Sequence, residues 1–160
     1  MRAAIVVLAL ATLSACRAPA VGPPDGLPVS VVRVPARTVV SMEAATLDEA
    51  SIEQFALAVE GAEIPPEGDL MARAGRILIP VAPGTEVGAP LRVETMPAMQ
   101  VAAVVLRGPT LEAIDRRMDE LYGWIEANGY RPAGTPIRVI TDLPPTGWVV
   151  EVLVPVEGGD

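Results

Sequence analysis

The sequence predicts an α+β fold: two strand-helix-strand-strand modules in a pseudo-twofold arrangement with a cleft between them. Three observations carry that expectation. The first is an internal repeat. Val34-Pro35-Ala36-Arg37-Thr38-Val39 matches Met96-Pro97-Ala98-Met99-Gln100-Val101, and Ile79-Pro80-Val81 matches Val154-Pro155-Val156. The offsets are 62 and 75 positions, so the second copy holds 13 extra residues between its landmarks. The second is one stretch of helical periodicity inside each copy. The third is the Val-rich, partly alternating character of the segments on either side.

The chain opens with Met1-Arg2 and then an apolar run from Ala3 to Leu13. A membrane-spanning helix needs about 20 apolar residues, so this run is too short to span. Charge, then an apolar core, then small residues is the layout of a secretory signal. Arg17 to Pro28 is rich in Pro, Gly and Ala and has no hydrophobic period, which reads as a tether. The expected organisation is therefore a leader at 1–15, a tether at 16–28 and a domain at 29–160.

In the first copy, Val29 to Met42 reads as one strand, with Pro35 at a bulge or an edge. Thr46 and Glu49 fit a capping box. The helix then runs to about Glu60, with Ile52, Phe55, Ala56 and Val59 on one side. Gly61 and Pro65-Pro66 end it. Leu70 to Val81 reads as two strands broken near Gly75.

In the second copy, Leu91 to Leu106 is the first strand. Gly108-Pro109-Thr110 opens a single helix to Asn128, followed by Gly129 as a left-handed cap. Leu111, Ile114, Met118, Leu121, Tyr122 and Ile125 form its apolar stripe. Pro136 to Thr141 and Trp148 to Val156 are the last strands, joined by the Pro144-Pro145-Thr146-Gly147 turn.

Composition narrows the chemistry. The chain has 160 residues, net charge −8, one Cys and no His, and all 12 basic residues are Arg. This excludes a Ser-His-Asp triad, a His-ligated metal, a thiolate zinc site, a Schiff-base lysine and an intrachain disulfide. No cofactor is expected. Asp and Glu are scattered without ligand spacing, so no metal site is expected. The acidic balance argues against a nucleic-acid partner, which would need a basic face.

Leu13-Ser14-Ala15-Cys16 resembles a bacterial lipobox. That resemblance implies acylation of Cys16 and an anchor in the bacterial cell envelope. Two or three acyl chains hold stably where one would not. Arg17, rather than Asp, follows the Cys, which favours the outer membrane and a periplasm-facing domain.

The second copy resembles the GyrI-like family of small-molecule-binding, or effector-binding, domains. The resemblance rests on Met96-Pro97-Ala98-Met99-Gln100-Val101-Ala102, Arg107-Gly108-Pro109, Leu121 to Tyr130 (LYGWIEANGY), Pro132-Ala133-Gly134 and Val150 to Val156 (VEVLVPV). The first half of the domain matches more weakly. The family pattern implies two related modules, a ligand cleft between them and a last-strand Glu that meets cationic, lipophilic ligands.

Here that residue is Glu151. Alternation along the last strand places it with Val149 and Leu153, opposite Trp148, Val150 and Val152. A carboxylate among aliphatics is desolvated if its face is covered, which raises its pKa. The bland alternatives are a solvated face or an ion pair. The repeat sets Arg76 at the place of Glu151 in the first copy, so an Arg76–Glu151 pair would turn a cation site into a zwitterionic one. Trp124, on the flank of the helix stripe, is expected to wall the cleft. Met96 and Met99 are expected to line it or to pack between strands. Tyr122 and Trp148 read as core. Thr110 stands where many family members have Tyr, which removes one stacking wall.

The expected function is capture of a small apolar or cationic molecule by an envelope lipoprotein. The alternatives are a hydrolase of electrophilic small molecules, with Glu151 as acid or base, and a ligand-free interaction module.

Overall fold

The computed structural model describes residues 27–143 and 147–159. Cys16, the leader, almost all of the tether and the Pro144-Pro145-Thr146 part of the last turn fall outside them.

Among the described residues, nine strands and three helices follow in order. They are β1 (Ser30–Val34), β2 (Arg37–Glu43), α1 (Glu49–Gly61), β3 (Leu70–Arg73), β4 (Arg76–Pro80), β5 (Arg92–Met96) and β6 (Met99–Gly108). Then come α2 (Leu111–Asp115), α3 (Met118–Ala127), β7 (Tyr130–Pro132), β8 (Ile137–Asp142) and β9 (Trp148–Gly158). The class is α+β. The strands form one antiparallel sheet in the order β1-β6-β9-β8-β3-β4-β2-β5, with β7 paired to the end of β9.

Each x-Pro-Ala landmark interrupts what the sequence suggests is one strand. Pro35-Ala36 separates β1 from β2, and Pro97-Ala98 separates β5 from β6. Proline offers no N–H to a ladder, so pairing stops there. The consequence is geometric. β1 and β2 hold the first and seventh places in the sheet. Flat, six strand spacings would part them by about 29 Å. Three Cα steps from Val34 to Arg37 reach at most about 11 Å. The same holds for β5 and β6, at the eighth and second places. The sheet must therefore curl until its two limbs meet near these links.

The core is divided by that curl. One cluster joins Ile52, Phe55 and Val59 of α1 and Ile114, Leu121 and Ile125 of α2 and α3 to Val40, Ile77, Val104, Val150 and Val152 of the sheet. The other carries no helix residue. It joins Val39, Met71, Leu78, Met96, Val101, Ala103, Ile137 and Leu153, drawn from both limbs. Val39 and Val101 are fully buried there. With strands alone to cover them, this is the inner face of the curl, and the helices lie on the outer face.

Local details differ from expectation in four places. The α1 cap is Asp48, whose carboxylate accepts from Ser51 N at 2.8 Å, while Thr46 donates to Asp48. These hydrogen bonds, the one from Thr46 foremost, hold the Asp48 carboxyl below its ordinary pKa. Ala56 is exposed. The second helix is broken at Arg116-Arg117, where Arg117 N bonds Ile114 O three residues back and tightens the turn. Finally, β7 adds a short strand that the sequence did not signal. Thr110 caps α2 by accepting from Ala113 N, and Gly129 ends α3 with φ +78°.

Candidate inner-face site

Glu151 lies on the inner face of β9. Its register partners are Val105 on β6 and Val139 on β8. Its neighbours along the strand on that face are Val149 and Leu153. The carboxylate thus has aliphatic side chains on four sides. It is half-buried, and among the described residues no ion pair or side-chain hydrogen bond reaches it. Burial raises its pKa, and the negative charge of Asp69 adds to the shift. Val105 is 49% exposed, so this part of the inner face opens to solvent. The Val39 and Val101 end is closed.

Arg76 is not the partner of Glu151. Its Nη1 donates to Glu94 Oε1 at 2.8 Å, and the buried Ser41 hydroxyl donates to the same oxygen. Arg76 is three strands from Glu151 and about one pleat along, so their Cα atoms are about 16 Å apart on the sheet. Arg76 stands opposite Glu43 on β2 and Glu94 opposite Val39, so the bond crosses β2 diagonally over Ser41. Sequence reasoning missed the Ser41–Glu94–Arg76 group. Alternation along β2, β4 and β5 was the signal that could have found it.

Met96 and Met99 share the inner face with Glu151 but sit at the Pro97-Ala98 end. Met99 is about three pleats, or about 20 Å, along β6 from Val105. They pack the closed end and do not adjoin the carboxylate. Trp124 is separated further. It rides on α3, packs against the outer-face core and stacks on Tyr130 with ring centroids 6.5 Å apart and planes 10° apart. The sheet lies between Trp124 and Glu151, so the pairing expected from sequence is not formed. The reason is that the flank of a helix stripe faces along the sheet and not through it. Tyr122 packs beside the core, and Trp148 is buried in it.

An open depression of about 450 Å³ lies on the outer face, lined by Leu47, Asp48, Glu49, Ala50, Leu111 and Trp148. It holds none of the sequence-predicted site residues. Asp48, its capping carboxylate, is already spent on Thr46 and Ser51. The inner face is the stronger candidate because its carboxylate is uncommitted.

A family model described as the GyrI-like small molecule binding domain matches residues 65–157. Among solved structures, the EcmrR C-terminal domain aligns with TM-score 0.67 at 17% identity, over 82% of this chain and 98% of that one. The EcmrR–DNA complex aligns with TM-score 0.68 at 17% identity, over 81% of this chain and 57% of that one. The chain thus spans somewhat over half of that EcmrR chain. SAV2435 bound to tetraphenylphosphonium aligns with TM-score 0.50 at 14% identity, over 81% and 94% of the two chains. At these identities the likeness is one of fold. No curated protein matches the chain.

The expectation that the chain has no nucleic-acid partner is corrected by these findings. A structure with this fold is solved in complex with DNA. Net charge summed over a chain does not report on a local contact or on what the rest of a longer protein contributes, so the acidic balance was not sufficient ground for exclusion.

Proposed function

The chain belongs to the GyrI-like small molecule binding domain family, and on that premise we propose that it binds a lipophilic cation at Glu151, on the inner face of the curled sheet. The observation that carries this reading is the half-buried carboxylate flanked by Val105, Val139, Val149 and Leu153 and engaged in no ion pair among the described residues. A carboxylate left so costs free energy, and a cation recovers it. At 4 Å the attraction is about 1 kcal/mol in water and about 4 kcal/mol at an effective dielectric near 20. A delocalised organic cation loses little hydration on entering, and its apolar body covers the exposed part of Val105. SAV2435 carries such a cation in its solved structure, which supports the choice of ligand class.

In this reading the two halves are modules related by a pseudo-twofold between β3 and β8. Strand order supports it. Exchanging β1 with β5, β2 with β6, β3 with β8 and β4 with β9 turns the order into its own reverse. The inner face is then the cleft between modules. Trp124 takes a packing role against Tyr130.

We also propose that Cys16 is acylated and holds the domain at the periplasmic side of the bacterial envelope, the outer membrane first. The Leu13-Ser14-Ala15-Cys16 sequence supports this. Incorporation of labelled palmitate, lost in Cys16→Ala together with membrane retention, is the expected result. Unlabelled protein that partitions as Cys16→Ala does would refute it.

The ligand reading is tested by calorimetric titration of tetraphenylphosphonium. Saturable binding that weakens at least about tenfold in Glu151→Gln is expected. Equal affinity in the two proteins would refute it.

A further inference from the structure

The inner face carries charge at a second place. Arg73 and Arg76 stand directly opposite one another across the β3–β4 hairpin. Like charges in register repel. Arg76 uses Nη1 on Glu94, while among the described residues Arg73 has no ion pair. Arg73 is therefore left without a partner carboxylate among the described residues, and both side chains are only partly buried.

The path from this pair to Glu151 is apolar. Arg73 lies one residue beyond the Ala72–Arg138 register pair, level with Ile137, and Ile137 pairs with Leu153. Glu151 is one pleat further along β9. Met71, Leu78 and Val139 fill the adjoining row on the same face. From Arg73 to Glu151 the Cα separation is about 12 Å on the sheet, from two strand spacings and one pleat. After the side chains reach inward, the gap suits a molecule with charged ends several bonds apart. The repeat sharpens the contrast: Arg76 and Arg73 occupy in one half what Glu151 and Val139 occupy in the other.

We propose that the ligand of this face is amphoteric, with a cationic group at Glu151, an anionic group at Arg73 and Arg76, and an apolar spacer over the partly exposed Val139. This deepens the Glu151 reading and rests on it. An anionic group relieves the Arg73–Arg76 repulsion and supplies Arg73 with an acceptor.

Calorimetry on the full-length chain with 8-aminooctanoate, octylamine and octanoate separates the two ideas. Wild type is expected to bind 8-aminooctanoate about tenfold more tightly than octylamine, through charge-assisted hydrogen bonds to Arg73. Octanoate, which lacks the ammonium, is expected to bind more weakly than 8-aminooctanoate. Arg73→Gln removes the margin between the two amines and leaves octylamine unchanged. Arg73→Lys keeps part of it. Glu151→Gln weakens both amines. If octylamine binds as tightly as 8-aminooctanoate to wild type, yet still depends on Glu151, the amphoteric ligand is refuted and the cation site stands. The amphoteric ligand is likewise refuted if the margin survives Arg73→Gln. If octylamine is indifferent to Glu151→Gln, or if neither amine binds, both ideas fall.

Discussion

Arg76 donates to Glu94 at 2.8 Å, and in doing so it leaves Glu151 facing Val105 and Val139 with no ion pair among the described residues. The first pair is internal and nearly neutral. The second arrangement leaves a charge that a ligand can use. The difference turns on strand order, because β5 brings Glu94 to β2 while β9 lies three places from β4.

Glu151 should destabilise the free protein at neutral pH. Its folded pKa is raised above the ordinary 4.5. Below that value it is protonated in both states. As pH rises from there through the folded pKa, the unfolded chain releases the proton first, so stability falls, and above the folded pKa the deficit is constant. Glu151→Gln is expected to be more stable at neutral pH, by at most about 1 kcal/mol given the solvent screening of a half-exposed group. The gain should vanish at more acidic pH, as read by urea unfolding.

Val105→Lys places an ammonium beside the carboxylate from the neighbouring strand. Val105 is half-exposed, so the fold should tolerate the change. The Glu151 pKa is expected to fall, and tetraphenylphosphonium affinity to drop about tenfold or more. Calorimetry and carboxyl titration check the two effects.

The Arg76–Glu94 pair contributes little to stability. The two side chains are 38% and 31% exposed, and such pairs are worth about 0.2–1 kcal/mol. A double-mutant cycle with Arg76→Gln and Glu94→Gln should give a coupling in that range. Ser41→Ala removes one donor to Glu94 from a buried position and should cost about 1 kcal/mol.

Trp124→Phe should leave tetraphenylphosphonium affinity within about twofold, because the sheet separates the indole from Glu151. Loss of its stacking on Tyr130 should lower the melting temperature slightly. A large loss of affinity would place the ligand on the outer face.

Legibility in the sequence followed period and punctuation. Alternation along β9 set Glu151 opposite Trp148, Val150 and Val152, and the structure keeps that division. The Pro35-Ala36 and Pro97-Ala98 landmarks were visible as a repeat, but their effect was not. A two-residue break reads as a bulge in one strand, whereas here it carries the chain across the mouth of a curled sheet. Strand order is a long-range property, and no local pattern states it. For that reason the sequence did not show that the sheet stands between Trp124 and Glu151, or that Arg76, a candidate partner of Glu151 by the repeat, pairs with Glu94. The break at Arg116-Arg117 was hidden for a related reason: the apolar stripe runs through it without interruption, from Ile114 to Leu121.

Cation binding on the inner face stands or falls with the charge state of one carboxyl group. Carbon-detected NMR titration of Glu151, without and with saturating tetraphenylphosphonium, reads it directly. A pKa above 4.5 is expected in the free protein, with a clear fall once the cation sits beside the carboxylate. An unchanged Glu151 titration curve in the saturated complex would contradict a cation site at this residue.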